Sequence, residues 1–178
     1  MRDLDVVVLA AGKGTRMNST RPKVLHELAG RPLLSHVLES VADLAPRQTV
    51  VVVGFEAGQV RSAMEARTEL EWVEQQEQLG TGHAVEQAMH HLGQAGIVLV
   101  VYGDVPLVKP STLERAAKAA QAGKVGLITA RVSDPAELGR IVRDDKGNVC
   151  AIVEYADADA TTRALAEINS GIVSVPTH

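Results

Sequence analysis

A single cysteine, Cys150, stands among the 178 residues, which excludes an internal disulfide framework. It lies in Asn148-Val149-Cys150-Ala151-Ile152-Val153, a strand-like run, and is expected to act as a small apolar filler. Aromatic side chains are nearly absent, at 2%, so the core has to be built from Val, Leu, Ile and Ala. No apolar run reaches the roughly 18 residues of a membrane span. The start, Met1-Arg2-Asp3-Leu4-Asp5, lacks the layout of a signal peptide. These two absences lead to the expectation of a cytoplasmic protein with no membrane partner. An excess of positive charge is missing too. The formal net charge is −4, which argues against broad nucleic-acid binding, because that needs a basic face. A site for a polyanion must therefore draw on local cations.

What is present is core material. Hydrophobic residues make up 46% of the chain, enough for one ordinary globular domain. Short apolar runs alternate with helical patterns. Strands are expected at 5–10, 49–53, 97–101 and 125–132, with a shorter one at 71–73. Helices are expected at 33–44, 57–67, 81–92 and 111–122. This βαβα order implies an α/β fold, a mostly parallel central sheet with helices on both faces. Continuous apolar strands suit a sheet that is covered twice. After about residue 133 the pattern turns β-rich. Arg140–Arg143 and Val149–Glu154 flank the turn-rich Asp144-Asp145-Lys146-Gly147-Asn148 and predict a hairpin. A short polar helix at 157–165 and a last strand at 168–175 follow. With no repeat, low-complexity tract or linker, one domain is expected. The chain runs out just past a strand with no closing helix, which suggests an interrupted domain.

The richest stretch is Leu9-Ala10-Ala11-Gly12-Lys13-Gly14-Thr15-Arg16-Met17, followed by Arg21-Pro22-Lys23. A buried strand that ends in small residues lets the backbone approach a ligand. Backbone N–H groups, Arg16 and Lys23 can then meet phosphate charge. The common phosphate motifs fail here. A dinucleotide fingerprint needs glycine where Met17 stands, and a Walker A loop needs it at position 7, which is Val. Pro22 stiffens the backbone beside Lys23. A glycine pair alone would be an ordinary strand-to-helix turn; the two cations argue for more.

Two further stretches add chemistry. In Gln75-Gln76-Glu77-Gln78-Leu79-Gly80-Thr81-Gly82-His83-Ala84, Thr81 is expected to cap a helix whose N-terminus the flanking glycines leave open to an anion or a base. The clustered glutamines favour amide recognition of a base edge over a plain capped helix. In Tyr102-Gly103-Asp104-Val105-Pro106-Leu107, a carboxylate follows a buried parallel strand, where open α/β sheets bind ligands. Asp104 suits Mg²⁺ better than a purely solvated turn role. Taken alone, Gly139-Arg140-Ile141, Glu154, and Asn169 with Gly171 read as a bend, a surface carboxylate and a bulge. His26, His36 and His83 show no paired ligand spacing, and His90 and His91 diverge on a helix, so structural roles are expected for all five. No nucleophilic triad can be argued from spacing. Two cations, open amides and a metal carboxylate suit phosphoryl-group chemistry.

Together these motifs resemble the sugar-phosphate nucleotidyltransferases. The first loop with Pro22-Lys23-Val24-Leu25-His26 is similar to their signature loop. Glu77–Ala84, Tyr102–Leu107 and Glu167-Ile168-Asn169-Ser170-Gly171-Ile172 narrow the resemblance to the uridylyltransferase domains of the bacterial bifunctional uridylyltransferase/acetyltransferase family. The match spans essentially the whole chain, with the motifs in the same order. It implies a Rossmann-like nucleotidyltransferase fold, residues 1–133 mainly nucleotide-binding and 134–178 mainly sugar-binding. It further implies Mg²⁺-dependent uridylyl transfer from UTP to N-acetylglucosamine 1-phosphate, giving UDP-N-acetylglucosamine and pyrophosphate for peptidoglycan and lipopolysaccharide precursors.

The resemblance also assigns residues. Arg16, Lys23 and Asp104 would be catalytic, with Mg²⁺ on Asp104. Leu9, Ala10, Ala11, Gly12 and Gly14, with Gln75, Gln78, Gly80, Thr81 and Gly103, would bind substrate, chiefly the uridine end. Tyr102, Gly139, Glu154 and Asn169 would line the sugar side. Two departures stand out. The family usually has an aromatic where Leu138 precedes Gly139, so sugar-pocket packing is expected to differ. Its domain also runs on past position 178, where an asparagine supplies a second metal ligand and a β-helix drives trimer formation and acetyl transfer. A fragment is therefore expected, monomeric and without acetyltransferase activity. Another nucleotidyltransferase of the same fold, with a different sugar phosphate or base, and a non-catalytic UDP-sugar-binding module are the alternatives.

Overall fold

Every residue of β1 (Leu4–Ala10) is buried in the computed structural model, which describes residues 3–14, 17, 19–93 and 96–177. A strand covered on both sides has no wet face, hence the unbroken Val6-Val7-Val8-Leu9. The chain continues through β2 (Glu27–Leu28), β3 (Arg31–Pro32), α1 (Leu33–Ala42), β4 (Gln48–Val53), α2 (Ala57–Ala63), β5 (Leu70–Glu74) and α3 (Thr81–Met89). It goes on with β6 (Ile97–Tyr102), α4 (Pro110–Gln121), β7 (Gly126–Arg131), β8 (Arg140–Arg143), β9 (Val149–Val153), α5 (Ala160–Arg163) and β10 (Glu167–Pro176). The mixed α/β class with a mostly parallel sheet is the one expected.

Two compact units result. One comprises Met1–Gly126 with Val173–His178, the other Leu127–Ile172. In the first, β4 and β6 flank β1 in parallel, so that Val7 lies beside Val50 on one side and Val100 on the other. β5 adds outside β4, also parallel. The end of β10 pairs antiparallel with β6, Ser174 opposite Leu99. Val7, Leu9, Val50, Val52, Val98 and Val100 turn to one face, where Ala84 and Ala88 of α3 pack on them together with Val173 and Val175. Ser174, between those two valines, turns the other way and donates its hydroxyl to the Ala116 carbonyl of α4 at 2.6 Å. Helices thus cover both faces. α1 and α4 supply the second cover from apolar residues at i, i+3, i+4 and i+7: Leu34, Val37, Leu38 and Val41 in one, Leu113, Ala116, Ala117 and Ala120 in the other. Each such valine or leucine is worth about 1.5–3 kcal/mol of burial. No helix among the described residues is long and apolar enough to cross a membrane.

In the second unit β8 and β9 form the expected antiparallel hairpin. Asp144 closes it by accepting from the Asn148 side chain at 2.9 Å and from the backbone amides of Lys146 and Asn148 at 2.9 and 2.7 Å. These bonds, the Asn148 amide foremost, hold its carboxyl below the usual carboxylate range. Arg140 is a buried cation held by backbone carbonyls. Its guanidinium donates to the carbonyls of Arg163 at 3.2 Å and Ala136 at 2.9 Å, and to those of Pro135 and Leu138.

Glu167 begins β10 and takes a two-pronged bond from Arg143, Nε to Oε2 at 2.9 Å and Nη2 to Oε1 at 2.6 Å, while Thr129 Oγ1 donates at 2.7 Å. The Arg143 guanidinium first, then Thr129, holds its carboxyl down at about 2. Ionised Glu167 therefore stabilises the folded unit above its ordinary pKa near 4.5, and that contribution is lost as pH falls through about 2. Glu167→Gln is expected to cost about 2 kcal/mol at pH 7, after allowance for the half-exposed Arg143. The deficit relative to wild type should shrink as pH falls from 4.5 toward about 2 in denaturant titrations.

Three local expectations need correction. Cys150 is exposed rather than a core filler, its sulfur 3.7 Å from the Asn148 carbonyl. The reason is that β9 is the outermost strand, with β8 as its partner, so its apolar residues are not covered. The cap of α3 is Gly80, not Thr81, which is the first helical residue. Helix α2 also stops at Ala63. There the chain breaks into turns that bury Met64, with Met64 N donating to Arg61 O at 3.1 Å and Arg67 N to Met64 O at 2.8 Å.

Candidate active site

In the first unit the strand order β5-β4-β1-β6 reverses at β1, because the chain leaves β1 toward β4 and later returns to β1's other edge as β6. At such a switch point the loops after two neighbouring parallel strands diverge and open a crevice at their carboxyl ends. A cavity of about 380 Å³ lies there, within the range of small-molecule sites. Its walls come from the loop after β1 (Leu9–Gly12, Gly14), the turn after the loop (Lys23, Val24), the segment leading into α3 (Gln75, Gln78, Gly80, Thr81, Ala84) and the end of β6 (Tyr102, Asp104).

The lysine is placed by its neighbours. Pro22 leads into a short 3₁₀ turn, Lys23–Leu25, whose Val24 and Leu25 are buried anchors. That leaves the Lys23 ammonium free to reach Asp104, Nζ to Oδ2 at 2.6 Å. Asp104 follows β6 in a tight turn tied to β1, where Gly103 N donates to Leu9 O at 2.9 Å. Gly103 does not line the cavity; it is the tie that sets Asp104 beside the loop. Both charges keep solvent contact, with side chains 42% and 23% exposed, so this pair contributes little to folding.

Gly14 explains why the loop carries a second glycine. Its φ is +62°, and a Cβ there would come 2.7 Å from Lys23 Cβ, which has no freedom to move aside. Gly14→Ala is expected to cost about 1–2 kcal/mol in strain and, by displacing Lys23, to lower turnover about tenfold. Thermal melts and steady-state rates check both.

The other wall carries polar groups around the start of α3. Gln75 is buried, and its Nε2 donates to Gly80 O at 3.1 Å and lies 3.0 Å from His83 Nδ1. Gly80 holds φ +102° and ψ −179°, a conformation for glycine, and from it α3 starts with Ala84 N donating to Gly80 O at 3.1 Å. Lys13 lies over the Phe55 ring, 5.3 Å from its centroid.

Of the residues singled out in the sequence, Leu9, Ala10, Ala11, Gly12, Gly14, Lys23, Gln75, Gln78, Gly80, Thr81, Tyr102 and Asp104 are brought together in this cavity. Arg16 lies outside the described residues. Gly139, Glu154 and Asn169 belong to the second unit. There Asn169 N donates to Gly139 O at 2.8 Å, and a Cβ on Gly139 would stand 2.9 Å from Glu154 Oε1, so these three are neighbours. Val24 and Ala84 were not singled out as site residues. Their signal was adjacency to Lys23 and a place three residues after Thr81 on the apolar side of α3. Among the described residues no cluster of three or more His, Cys, Asp or Glu could hold a metal alone. Among the described residues that line the cavity, Asp104 is the carboxylate. Magnesium commonly takes one or two protein carboxylates and completes its shell with water and substrate phosphates, so this donor set fits a metal that arrives with a nucleotide.

A doubly covered parallel sheet with a lysine–carboxylate pair and a helix start in its switch-point crevice has the layout in which open α/β sheets bind ligands. Comparison with known proteins gives the class. The model of the MobA-like NTP transferase domain matches residues 6–168. The bifunctional protein GlmU of Thiobacillus denitrificans is 53% identical over 175 residues, 98% of this chain and 38% of that protein. GlmU of Neisseria meningitidis is 51% identical over 173 residues, 97% and 37% respectively. Among solved structures, UDP-glucose pyrophosphorylase complexed with UDP-glucose superposes with a TM-score of 0.78 at 17% identity, over 97% of this chain and 75% of that one. HddC from Yersinia pseudotuberculosis complexed with GMP-PN gives 0.74 at 22% identity, over 97% and 76%. These two likenesses concern the fold. The chain belongs to the MobA-like NTP transferase domain family. It spans about 38% of the length of curated relatives such as the Thiobacillus protein.

Proposed function

We propose that the chain transfers a uridylyl group from UTP to N-acetylglucosamine 1-phosphate, releasing pyrophosphate and forming UDP-N-acetylglucosamine, a cell-wall precursor made in the cytoplasm. The observation that carries this reading is the Lys23–Asp104 pair, 2.6 Å apart, facing the glutamine- and glycine-lined start of α3 across one cavity. The GlmU relatives at 51–53% identity support the choice of uridine and of the amino sugar.

In this reading the backbone of Leu9–Gly12, with Gln75, Gly80 and Thr81, holds the uridine. A sugar-phosphate oxygen attacks the α-phosphorus in line; the new P–O bond forms as the bond to the β-phosphate oxygen breaks, and that oxygen leaves with the electron pair on pyrophosphate. No covalent bond to the protein is made. Lys23, and by the resemblance Arg16, neutralise charge on the phosphates and on the leaving group. Asp104 would hold a divalent ion, Mg²⁺ in this reading, which supplies Lewis-acid neutralisation of phosphate charge when bound. On the strength of the resemblance Tyr102, Gly139, Glu154 and Asn169 serve the sugar, and the chain acts as a single nucleotidyltransferase domain, with residues 1–133 mainly for the nucleotide and 134–178 mainly for the sugar.

Pyrophosphate release from UTP tests this directly. It should require both N-acetylglucosamine 1-phosphate and magnesium, and the other nucleoside triphosphates should compete poorly. Equal release with another sugar phosphate, or with another base, would replace the assignment by a different member of the same family. UDP-sugar binding without any release would make the chain a binding module.

A further inference from the structure

We propose that His83, which lies behind the cavity wall, fixes the Gln75 side-chain amide in one orientation and so sets the site's preference for a base edge that donates an N–H. This rests on the reading above that the Gln75 wall receives the base.

The inference follows from counting donors. Gln75 is 4% exposed, and a buried amide must find partners. Its Nε2 carries two hydrogens and no free acceptor. One hydrogen goes to Gly80 O at 3.1 Å and the other points to His83 Nδ1 at 3.0 Å. His83 Nδ1 must then be the accepting nitrogen, which puts the ring proton on Nε2. Gln87 Nε2 lies 3.1 Å from that Nε2, donor facing donor, so the Gln87 amide has to be turned to present its carbonyl oxygen there; oxygen and nitrogen of an amide are assigned from such a network. The chain Gln87–His83–Gln75–Gly80 is consistent in that one sense. Turning Gln75 over would set its carbonyl against the Gly80 carbonyl and the Nδ1 lone pair at once.

The consequence reaches the ligand. With both N–H groups spent inside the protein, Gln75 has its carbonyl oxygen left for the cavity, an acceptor. Uracil presents an N3–H between two carbonyls. Cytosine presents a bare N3 at the same place, which would meet the Gln75 oxygen acceptor to acceptor. His83 is thus a positioning residue for base choice, although it touches neither base nor phosphate. The helical spacing His83 to Gln87 and the bond back to Gln75 eight residues earlier form a single device.

The test is equilibrium binding of UTP and of CTP to wild type, His83→Leu and His83→Asn. Wild type is expected to favour UTP by about tenfold or more, the scale of one misplaced buried hydrogen bond. His83→Leu should cut that ratio at least about fivefold, and His83→Asn, which keeps an acceptor near the Nδ1 position, should recover most of it. A His83→Leu protein that weakens UTP and CTP by the same factor would overturn the proposal. Should His83→Leu fail to fold, the imidazole nitrogen spectrum of wild type decides: bare Nδ1 and protonated Nε2 at neutral pH support the lock, and a proton on Nδ1 overturns it. A wild type with no preference for UTP would instead sink the uridine reading and the selectivity with it, while the same spectrum still judges the Gln75–His83 bond.

Discussion

Asp104→Asn is expected to lower pyrophosphate release by about 10³-fold, the scale on which a preorganised charge at a reacting phosphate acts. The fold should hardly notice. Asp104 keeps 23% of its side chain exposed and its partner Lys23 42%, and exposed ion pairs are worth about 0–1 kcal/mol. The melting temperature should therefore move by no more than about 2–4 °C. The turn that carries Asp104 is held by the Gly103 N to Leu9 O bond, which the substitution leaves intact. Raised magnesium should not rescue the variant, because the amide lacks the charge. Rates against magnesium concentration, with a melt of the same sample, check all three outcomes. Loss of folding would mean that Asp104 is a structural residue.

Lys23→Ala is expected to lower kcat/KM for UTP by about 10²-fold. The ammonium is held beside Asp104 by a proline before it and two buried residues after it. This placement is already made before any nucleotide arrives, so little ordering cost is left for binding. Lys23→Arg should recover part of the loss: it restores the charge but not the reach of a compact ammonium. The split matters. A cation that meets the phosphates in ground and transition states raises KM when it is removed, and one that meets the leaving pyrophosphate lowers kcat. Lys23→Ala should raise KM and lower kcat, with the larger change in kcat. An unchanged kcat/KM would remove Lys23 from the phosphate site.

The parallel sheet was legible because its strands are buried on both faces and so carry unbroken apolar runs, as in β1, β4 and β6. α1 and α4 were legible from apolar residues at helical spacing. Cys150 was not, because a strand-like sequence does not say whether its strand is central or outermost. The cap of α3 lies one residue before the expected Thr81, because the capping conformation of Gly80, φ +102°, has no sequence mark beyond the glycine itself. In the site, the loop after β1, Lys23, the Gln75–Thr81 stretch and Asp104 stood out as motifs, and the cavity gathers them from four separate stretches of chain. The bond from Gln75 to His83 was hidden, since it joins a residue before a loop to one on the next helix, and only tertiary structure brings them within 3.0 Å. His83 on its own looked like any structural histidine.

A crystal structure of the chain with UDP-N-acetylglucosamine and magnesium bound is the most direct test of the central claim. The uracil should lie against Gln75, Gly80 and Thr81, the diphosphate beside Lys23 and the loop of Leu9–Gly12, and the metal on Asp104. A UDP-sugar bound away from this cavity, or bound in it with its diphosphate turned away from Lys23 and Asp104, would contradict the assignment.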